Sequence, residues 1–321
     1  MTVLNVLDLF CGCGGMSYGL KQSGLNIIAG IDIWKEAIDN YKKNFNHMGI
    51  CKDLTQLSPQ EFNEKYNTQN KVIDILTNTA PCQGFSISGR RDVNDPRNSL
   101  FMEFIKYLNY FKPKAFIIEN VIGILSMKNQ EGEKVIDIIM SLVNINYNCC
   151  INKLYASDFG APQNRRRVII LGIRKDLNKV PEPIKPIIEN IEDRIPISQI
   201  LEPQQDIEQN YYLSERAILG IINKKQKSLE EGKGFGAQFA NLDKPSYTIP
   251  ARYWKDGYDC LIKYNESTIR RLTILELKRI QSFPDNYILE GKKKDIIMQI
   301  GNAVACKMAY HIGLYIKNIL Q

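Results

Sequence analysis

Asp8-Leu9-Phe10-Cys11-Gly12-Cys13-Gly14-Gly15 closes a short apolar run, VLNVLDLF (3–10), and opens an amphipathic stretch that ends at Gly24. A run of that length rich in Val and Leu reads as a buried strand. The glycines then read as a tight turn and the stretch after them as a helix. The alternation continues downstream: NIIAGID (26–32) reads as a second strand and WKEAIDNYKKNF (34–45) as a second helix. Ser58-Pro59-Gln60-Glu61 has the form of a capping box with proline at the first helical position. KVIDILT (71–77), KAFIIEN (114–120) and RRRVIILGI (165–173) are further buried-strand candidates. Strands separated by helical patterns need crossover connections. The expected fold is therefore α/β, a doubly wound, mostly parallel sheet.

The chain has 321 residues, room for two domains or for one large α/β domain with an insert. Hydrophobic residues at 44% and charged residues at 24% match globular averages. No apolar run reaches the roughly 18 residues of a membrane span. The start, MTVLNVLDLF, has no basic segment ahead of its apolar stretch. A soluble, unexported, cytoplasmic protein with no membrane partner is expected, and its eight cysteines are expected as free thiols. Two histidines, His47 and His311, are too few for a histidine-rich metal site and argue against Ser-His-Asp catalysis. No metal is expected. The net charge of +7, from 42 basic and 35 acidic residues, permits nucleic-acid binding without demonstrating it.

The strand–helix alternation stops near Lys179. From there to about Asn265 the chain is richer in Pro, Gln and Lys, with segments such as PEPIKPI and EEGKGFGAQF that fit no clear element. A separate, smaller domain is expected there. Helical periodicity returns at TILELKRIQSF (273–283) and at AVACKMAYHIGLYIKNIL (303–320), whose broad apolar face suits packing back on the first domain.

The glycine loop stands where a dinucleotide-binding domain would carry G-x-G-x-x-G, with an acid about 20 residues on for a ribose. Gly12 and Gly14 fit, and Asp32 ends the second strand at that distance. The third glycine position is Ser17, however, and Gly15 is extra. Glycines let a ligand approach the backbone, and an acid at a strand end can hold two ribose hydroxyls. This is a nucleoside site that specifies no pyrophosphate, so an adenosyl cofactor suits it at least as well as NAD. The bland alternative is a tight turn with no ligand.

Cys82 follows the strand VIDIL in Thr77-Asn78-Thr79-Ala80-Pro81-Cys82-Gln83-Gly84-Phe85-Ser86, at the strand end where such sheets place ligands. A cysteine alone is more often a buried apolar residue than a nucleophile. The flanking Pro81 and Gly84 and the polar run SISGRRDVNDPRNS (86–99) argue for a surface loop, where arginines or amide dipoles could ionise a thiol. Glu119-Asn120-Val121 ends another strand. Alternation along Gln163-Asn164-Arg165-Arg166-Arg167 would send Gln163, Arg165 and Arg167 to one side, a stripe suited to a polar base or phosphate, if it is not a solvated charge run. Gly301-Asn302-Ala303 is expected to open the last helix.

With these segments in hand, the chain resembles the C5-cytosine-specific DNA methyltransferase family in its compact microbial or phage form. DLFCGCGG, APCQGFS, ENV, QNRRR, RRLTILELKRIQSFPDNY and QIGNAV match that family's motifs in its usual order, from residue 8 to residue 304. The resemblance implies an S-adenosylmethionine-dependent methyltransferase fold with a smaller target-recognition domain. The expected segments are 1–178 (catalysis and cofactor), 179–270 (target recognition), 271–297 (hinge and connecting motif) and 298–321 (a helix returning to the catalytic domain).

It also implies roles. Cys82 thiolate would add to C6 of cytosine and make C5 nucleophilic. Glu119 would hydrogen-bond or protonate N3, while Arg165 and Arg167 would contact the base carbonyl or an adjacent phosphate. S-adenosyl-L-methionine would lie over the glycine loop, touched by Phe10, Gly12 and Gly15. Asp32 would take its ribose hydroxyls and Ile33 one face of adenine, with Asp53 and Leu54 at the adenine edge. Pro81, Leu100 and Asn302 complete the cofactor set. The family often has Glu followed by an aromatic where this chain has Asp32-Ile33, a departure that suggests weaker cofactor binding. Gln83, Ser86, Ser88, Asn120, Gln163 and Arg252 are the expected substrate contacts, Ser88 being a candidate to enter the space a flipped base leaves. Tyr253 is a further candidate. Double-stranded DNA is the implied partner of a monomer in a restriction–modification setting, with a cognate restriction endonuclease that need not touch it.

Three rivals compete. An RNA cytosine methyltransferase would share the catalytic core, but the variable segment of about 90 residues favours DNA. An NAD dehydrogenase fails on Ser17 and has no use for PCQ, ENV and QNRRR. A catalytically silent DNA-binding relative would not need every catalytic residue that is present here.

Overall fold

A computed structural model describes residues 3–67, 69–80, 100–129, 132–230, 232 and 237–321. It divides into two compact units: Met1–Tyr155, Arg166–Pro186 and Cys306–Gln321 form the first, and Ala156–Arg165 and Ile187–Ala305 the second.

The first unit is built on seven strands, β1 (Asn5–Leu9), β2 (Asn26–Asp32), β3 (Met48–Cys51), β4 (Ile75–Asn78), β5 (Ala115–Asn120), β6 (Tyr147–Tyr155) and β7 (Arg166–Arg174). Helices α1 (Gly15–Gln22), α2 (Lys35–Asn44), α3 (Pro59–Lys65), α4 (Leu100–Phe111) and α5 (Val135–Val143) connect them. The sheet order is β3-β2-β1-β4-β5-β7-β6. β1 to β5 run parallel, whereas β7 is antiparallel to both its neighbours. The expected mostly parallel α/β sheet is therefore present. From β1 the chain builds to one side through β2 and β3, then returns to the other side with β4. That reversal between β1 and β4 is where open α/β sheets leave a crevice beyond the carboxyl ends of their strands.

The apolar runs become the central strands because both faces of the sheet are covered: β4 and β5 are buried along their whole length. Ser58 caps α3 as its sequence suggests, its hydroxyl accepting from Glu61 N at 3.1 Å with Pro59 in the first turn. Two strands escape the pattern reading. β3 has four residues, and β6 is an edge strand whose YNCCINKLY mixes Asn and Lys among apolar positions because one of its sides has no neighbouring strand.

The second unit holds α6 (Glu215–Glu230), α7 (Tyr253–Asp256), α8 (Ile274–Ile280), α9 (Lys293–Asn302) and a two-stranded antiparallel ribbon, β8 (Ile262–Lys263) with β9 (Ile269–Arg270). Thr273 and Glu276 form a reciprocal capping box at the start of α8. Leu277 and Ile280 of α8 and Ile296, Ile297 and Ile300 of α9 share one core with Ile249, Tyr253 and Ile262. Residues 271–305 thus pack as part of the second unit, and residues 179–186 pack with the first.

One expectation is corrected. Gly301 and Asn302 close α9 instead of opening the last helix, and α10 (Cys306–Leu320) begins after an extended Ala303 (φ −61°, ψ 148°). The Gln281 amide donates to the carbonyls of Ile300 and Ala303, taking acceptors that a continuous helix would have used.

α10 belongs to the first unit and packs on α1. The contact is close because Gly19 has no side chain. A Cβ there would sit 2.5 Å from Ala309 Cβ and 2.6 Å from Tyr310 N, and would strike the Cys306 carbonyl. Gly19→Ala should therefore lower stability by about 2 kcal/mol, the usual scale of overpacking, because backbone must move. Urea unfolding of the two chains checks this; equal midpoints would contradict so tight an α1–α10 contact.

Candidate cofactor and catalytic site

The loop after β1 is shaped by three left-handed residues, Phe10 (φ 60°), Gly12 (φ 54°) and Gly14 (φ 98°). Cys11 N donates to Ile31 O at 3.0 Å and Gly14 N to Cys11 O at 2.9 Å, while Gly15 starts α1. Gly12 N donates to Asp32 Oδ2 at 2.8 Å, and the other carboxylate oxygen accepts from Trp34 N at 2.8 Å. Burial raises the Asp32 pKa above the ordinary carboxylate value, and the amide hydrogen bonds pull it back. Space above Gly12 is open: a Cβ there would meet no atom within 4 Å. Ile33, next to Asp32, holds a large apolar side chain 65% exposed. Lys52 N donates to Asp32 O at 2.9 Å, so the end of β3 brings Asp53 to the same rim. Asp53 Oδ1 caps a short 3-10 turn through Thr55 N at 2.9 Å. The Leu54 side chain is buried in the core. Leu100 begins α4.

A second carboxylate lies beneath this loop, and the sequence reading passed over it. Asp8 in β1 is fully buried and accepts from Ser17 Oγ at 2.5 Å and from Thr77 Oγ1. Ser17 Oγ also meets Tyr41 OH at 2.8 Å, and Tyr41 OH meets His47 Nε2 at 2.7 Å. Ser17, which broke the dinucleotide pattern, is therefore a partner of Asp8 in α1, while Thr77 stands in the strand that leads to the cysteine segment. The available signal was a charged residue inside the apolar run VLNVLDLF.

Across the rim, Glu119 is 8% exposed at the end of β5, and its Oε1 lies 2.8 Å from Arg167 Nε. Since β7 is antiparallel, it starts where the parallel strands end, which brings Arg167 to Glu119. Burial lowers the Arg167 pKa and the Glu119 charge offsets this. Asn120 Oδ1 accepts from Val121 N at 2.8 Å. Thr79 Oγ1 donates to Phe10 O at 2.6 Å, tying the end of β4 to the glycine loop. Pro81, Cys82, Gln83, Ser86 and Ser88 lie outside the described residues.

The remaining candidates sit in the second unit. Strand β7 begins at Arg166, and the alternation extends upstream of it: Gln163 and Arg165 are buried while Asn164 and Arg166 are exposed. Arg165 is 2% exposed, and its guanidinium donates to Ile249 O at 3.3 Å and Gly301 O at 3.0 Å. Gln163 accepts from Ile249 N at 3.0 Å and donates to Gln281 Oε1 at 3.1 Å. Asn302 is exposed at the end of α9, and Arg252 is exposed with Asp259 at 3.4 Å. Tyr253 is no surface contact: it is buried, donating to Cys260 O and accepting from Leu272 N, both at 2.9 Å. Among the described residues no cluster of three or more His, Cys, Asp or Glu could hold a metal, and no helix is long and apolar enough to cross a membrane.

The buried chain makes a pH prediction. Burial lifts Asp8 from 3.8 to about 6, against the pull of its hydrogen bonds from Ser17 and Thr77. Between those values the folded state holds a proton that the unfolded state has lost, so this contribution falls as pH rises. Burial, with the nearby Lys21 charge, lowers His47 from 6.5 to about 4. There the unfolded state holds the extra proton, so this contribution grows as pH rises. The two oppose each other between about pH 4 and 6. Relative to the parent chain, Asp8→Asn should make the melting temperature rise with pH across that window, and His47→Gln should make it fall. Parallel profiles for all three chains would contradict the buried chain.

Residues 4–318 match the family described as C-5 cytosine-specific DNA methylase. Type II methyltransferase M.DdeI of Desulfomicrobium norvegicum is 32% identical over 390 residues, covering 98% of this chain and 90% of its own. Type II methyltransferase M.NlaX of Neisseria lactamica is 30% identical, covering 99% of this chain and 98% of its own. The solved structure of the Entamoeba histolytica methyltransferase EhMeth shares the fold over 100% of both chains, with a TM-score of 0.78 at 22% identity. With the glycine loop, the Asp32 hook and the Glu119–Arg167 pair on one sheet rim, and a family match over nearly its whole length, this chain belongs to the C-5 cytosine-specific DNA methylases.

Proposed function

We propose that the protein transfers a methyl group from S-adenosyl-L-methionine to C5 of a cytosine in duplex DNA, through a covalent adduct on Cys82. The observation that carries this reading is the shared rim: the Asp32–Gly12 hook at β1–β2 and a buried acid–guanidinium pair at β5–β7 flank the strand that leads to Cys82. The residues fit the cofactor. Gly12 offers open space over its backbone, with Phe10 and Gly15 in the same loop, Asp32 keeps acceptor capacity for ribose hydroxyls, and exposed Ile33 suits the flat face of adenine. Asp53, Leu54, Pro81, Leu100 and Asn302 complete the proposed contacts. When bound, S-adenosylmethionine supplies an electrophilic methyl group.

C5 of cytosine is a poor nucleophile. Addition of the Cys82 thiolate to C6 pushes the ring electrons toward C5, with Glu119, as the carboxylic acid, donating a hydrogen bond or its proton to N3 as charge builds there. Arg167 holds the Glu119 carboxyl group in place through its contact with Oε1 and would stabilise the carboxylate left once the proton has moved to N3. Arg165 acts through the Ile249 and Gly301 carbonyls it ties together. Once C5 carries the methyl group, water or hydroxide removes the C5 proton, and the electron pair of that C–H bond reforms the C5–C6 double bond and expels Cys82. A base inside a duplex cannot reach such a thiol, so the cytosine leaves the stack, at a cost of about a few kcal/mol. Gln83, Ser86, Ser88, Asn120, Gln163 and Arg252 are the proposed DNA contacts. A methyltransferase of a restriction–modification pair, acting as a monomer in the cytoplasm, is the biological setting we propose.

Two variants test this. Cys82→Ala should abolish incorporation of labelled methyl groups into duplex DNA while retaining DNA binding; unchanged methylation would sink the adduct mechanism. Asp32→Ala should weaken cofactor binding at least tenfold by calorimetry, the loss of a bidentate ribose contact being worth about 1.5–3 kcal/mol. Equal affinity would move the cofactor away from this loop.

A further inference from the structure

The second unit carries a group of cations that its own acids do not neutralise. Lys292, Lys293 and Lys294 begin α9, Arg252 and Lys255 flank the start and end of α7, and Arg271 follows β9. α7 and α9 pack against each other, and Arg271 lies along Gly257 at the end of α7, where a Cβ would stand 2.8 Å from its Cδ. The six therefore form one surface. Only Arg252 has a carboxylate within ion-pair distance among the described residues, Asp259 at 3.4 Å. Four other cations of the unit do have ion-pair partners: Arg270 with Glu276, Arg279 with Asp285, Arg194 with Asp158 and Lys263 with Glu266.

Helix stability does not explain the lysines, since positive charge at a helix start opposes the macrodipole. Solvation alone does not explain them either, because two are held in place by rings. Lys293 Nζ lies 3.7 Å from the centre of the Tyr211 ring, and Lys294 Nζ lies 4.7 Å from that of Trp254, which is 39% exposed. Such contacts fix the direction of a side chain that would otherwise roam. Burial and then the neighbouring Arg271 guanidinium lower the Lys293 pKa, with the Glu208 carboxylate offsetting part of this. Arg271 Nε is buried with no hydrogen-bond partner. Cations spread over two helices, with no single point of convergence, suit a polyanion better than one phosphate. Aromatic rings set among them suit a backbone of alternating sugars and phosphates.

We infer that this surface of the second unit docks the sugar–phosphate backbone of duplex DNA, with Lys292, Lys293, Lys294, Lys255 and Arg271 on phosphates and Trp254 against the sugars. The inference rests on the DNA-methylating reading above and adds the surface that holds the duplex without reading its bases.

The test is DNA affinity of the full chain against salt, using a random-sequence duplex. Each phosphate contact steepens the fall of log K with log salt by about 0.9. Joint Lys292→Gln, Lys293→Gln and Lys294→Gln substitution should flatten that slope by about 2–3 and cost about a hundredfold in affinity at 0.1 M salt. Arginine at the same three positions should restore the slope. The same charge change at exposed Lys42, Lys43 and Lys71 of the first unit should leave it unaltered, and cofactor affinity of every variant reports that the chain is folded. A parent-like slope in the glutamine variant would overturn the surface while leaving the methylation reading intact. An unmutated chain that neither binds nor methylates duplex DNA would overturn both.

Discussion

The Asp32 carboxylate holds two turns at once. One oxygen takes the Gly12 amide of the loop after β1 and the other takes the Trp34 amide at the start of α2. Together with the Cys11–Ile31 backbone hydrogen bond, that bridge fixes the glycine loop against the end of β2 and sets an acid beside the open space over Gly12. A half-buried carboxylate is tolerable here because backbone donors compensate part of its desolvation, as they do at helix starts. The cost follows from the sheet. Parallel strands that reverse order between β1 and β4 leave their carboxyl ends uncovered, and whatever binds there is held by loops.

Asp8 completes the support from below. It ties α1, through Ser17, and β4, through Thr77, to β1, so the glycine loop and the strand that leads to the cysteine segment share one anchor. Buried polar groups fully met by partners specify one arrangement of their elements more sharply than apolar packing does. Glu119 and Arg167 play a comparable part on the other side of β4, where an antiparallel strand supplies a guanidinium to a parallel strand's end. The sharp turn of direction at β7 is what permits it.

Much of this was legible in the residues. β1, β2, β4, β5 and β7 stand on apolar runs that have no other reading, and NIIAGID forms β2 with both its ends as expected. The glycine loop and Asp32 were legible because a close backbone approach and a strand-end acid leave marks in sequence. The Asp8 chain was less so, since hydrogen bonds among β1, α1, α2 and β4 join residues up to 69 positions apart. Burial alternates from Gln163 to Arg166 as the pattern suggests, but the pattern does not say what the buried side chains meet: Arg165 reaches carbonyls 84 and 136 positions away. The same limit applies to Tyr253, whose neighbour Trp254 takes the exposed position. The match to the C-5 cytosine-specific DNA methylases spans these successes and failures alike, because motifs identify residues without saying which neighbours they bond.

The central claim is that Cys82 forms a bond to C6 of a cytosine in duplex DNA. Incubation of the protein and S-adenosylmethionine with random-sequence duplex containing 5-fluorocytosine tests it most directly, because fluorine at C5 cannot leave as a proton does and the adduct is trapped. The account predicts a denaturant-resistant protein–DNA complex whose modified peptide, by mass spectrometry, carries the base on Cys82. A complex formed with fluorinated RNA and not with DNA, or no complex at all from a chain that binds the cofactor, would contradict it.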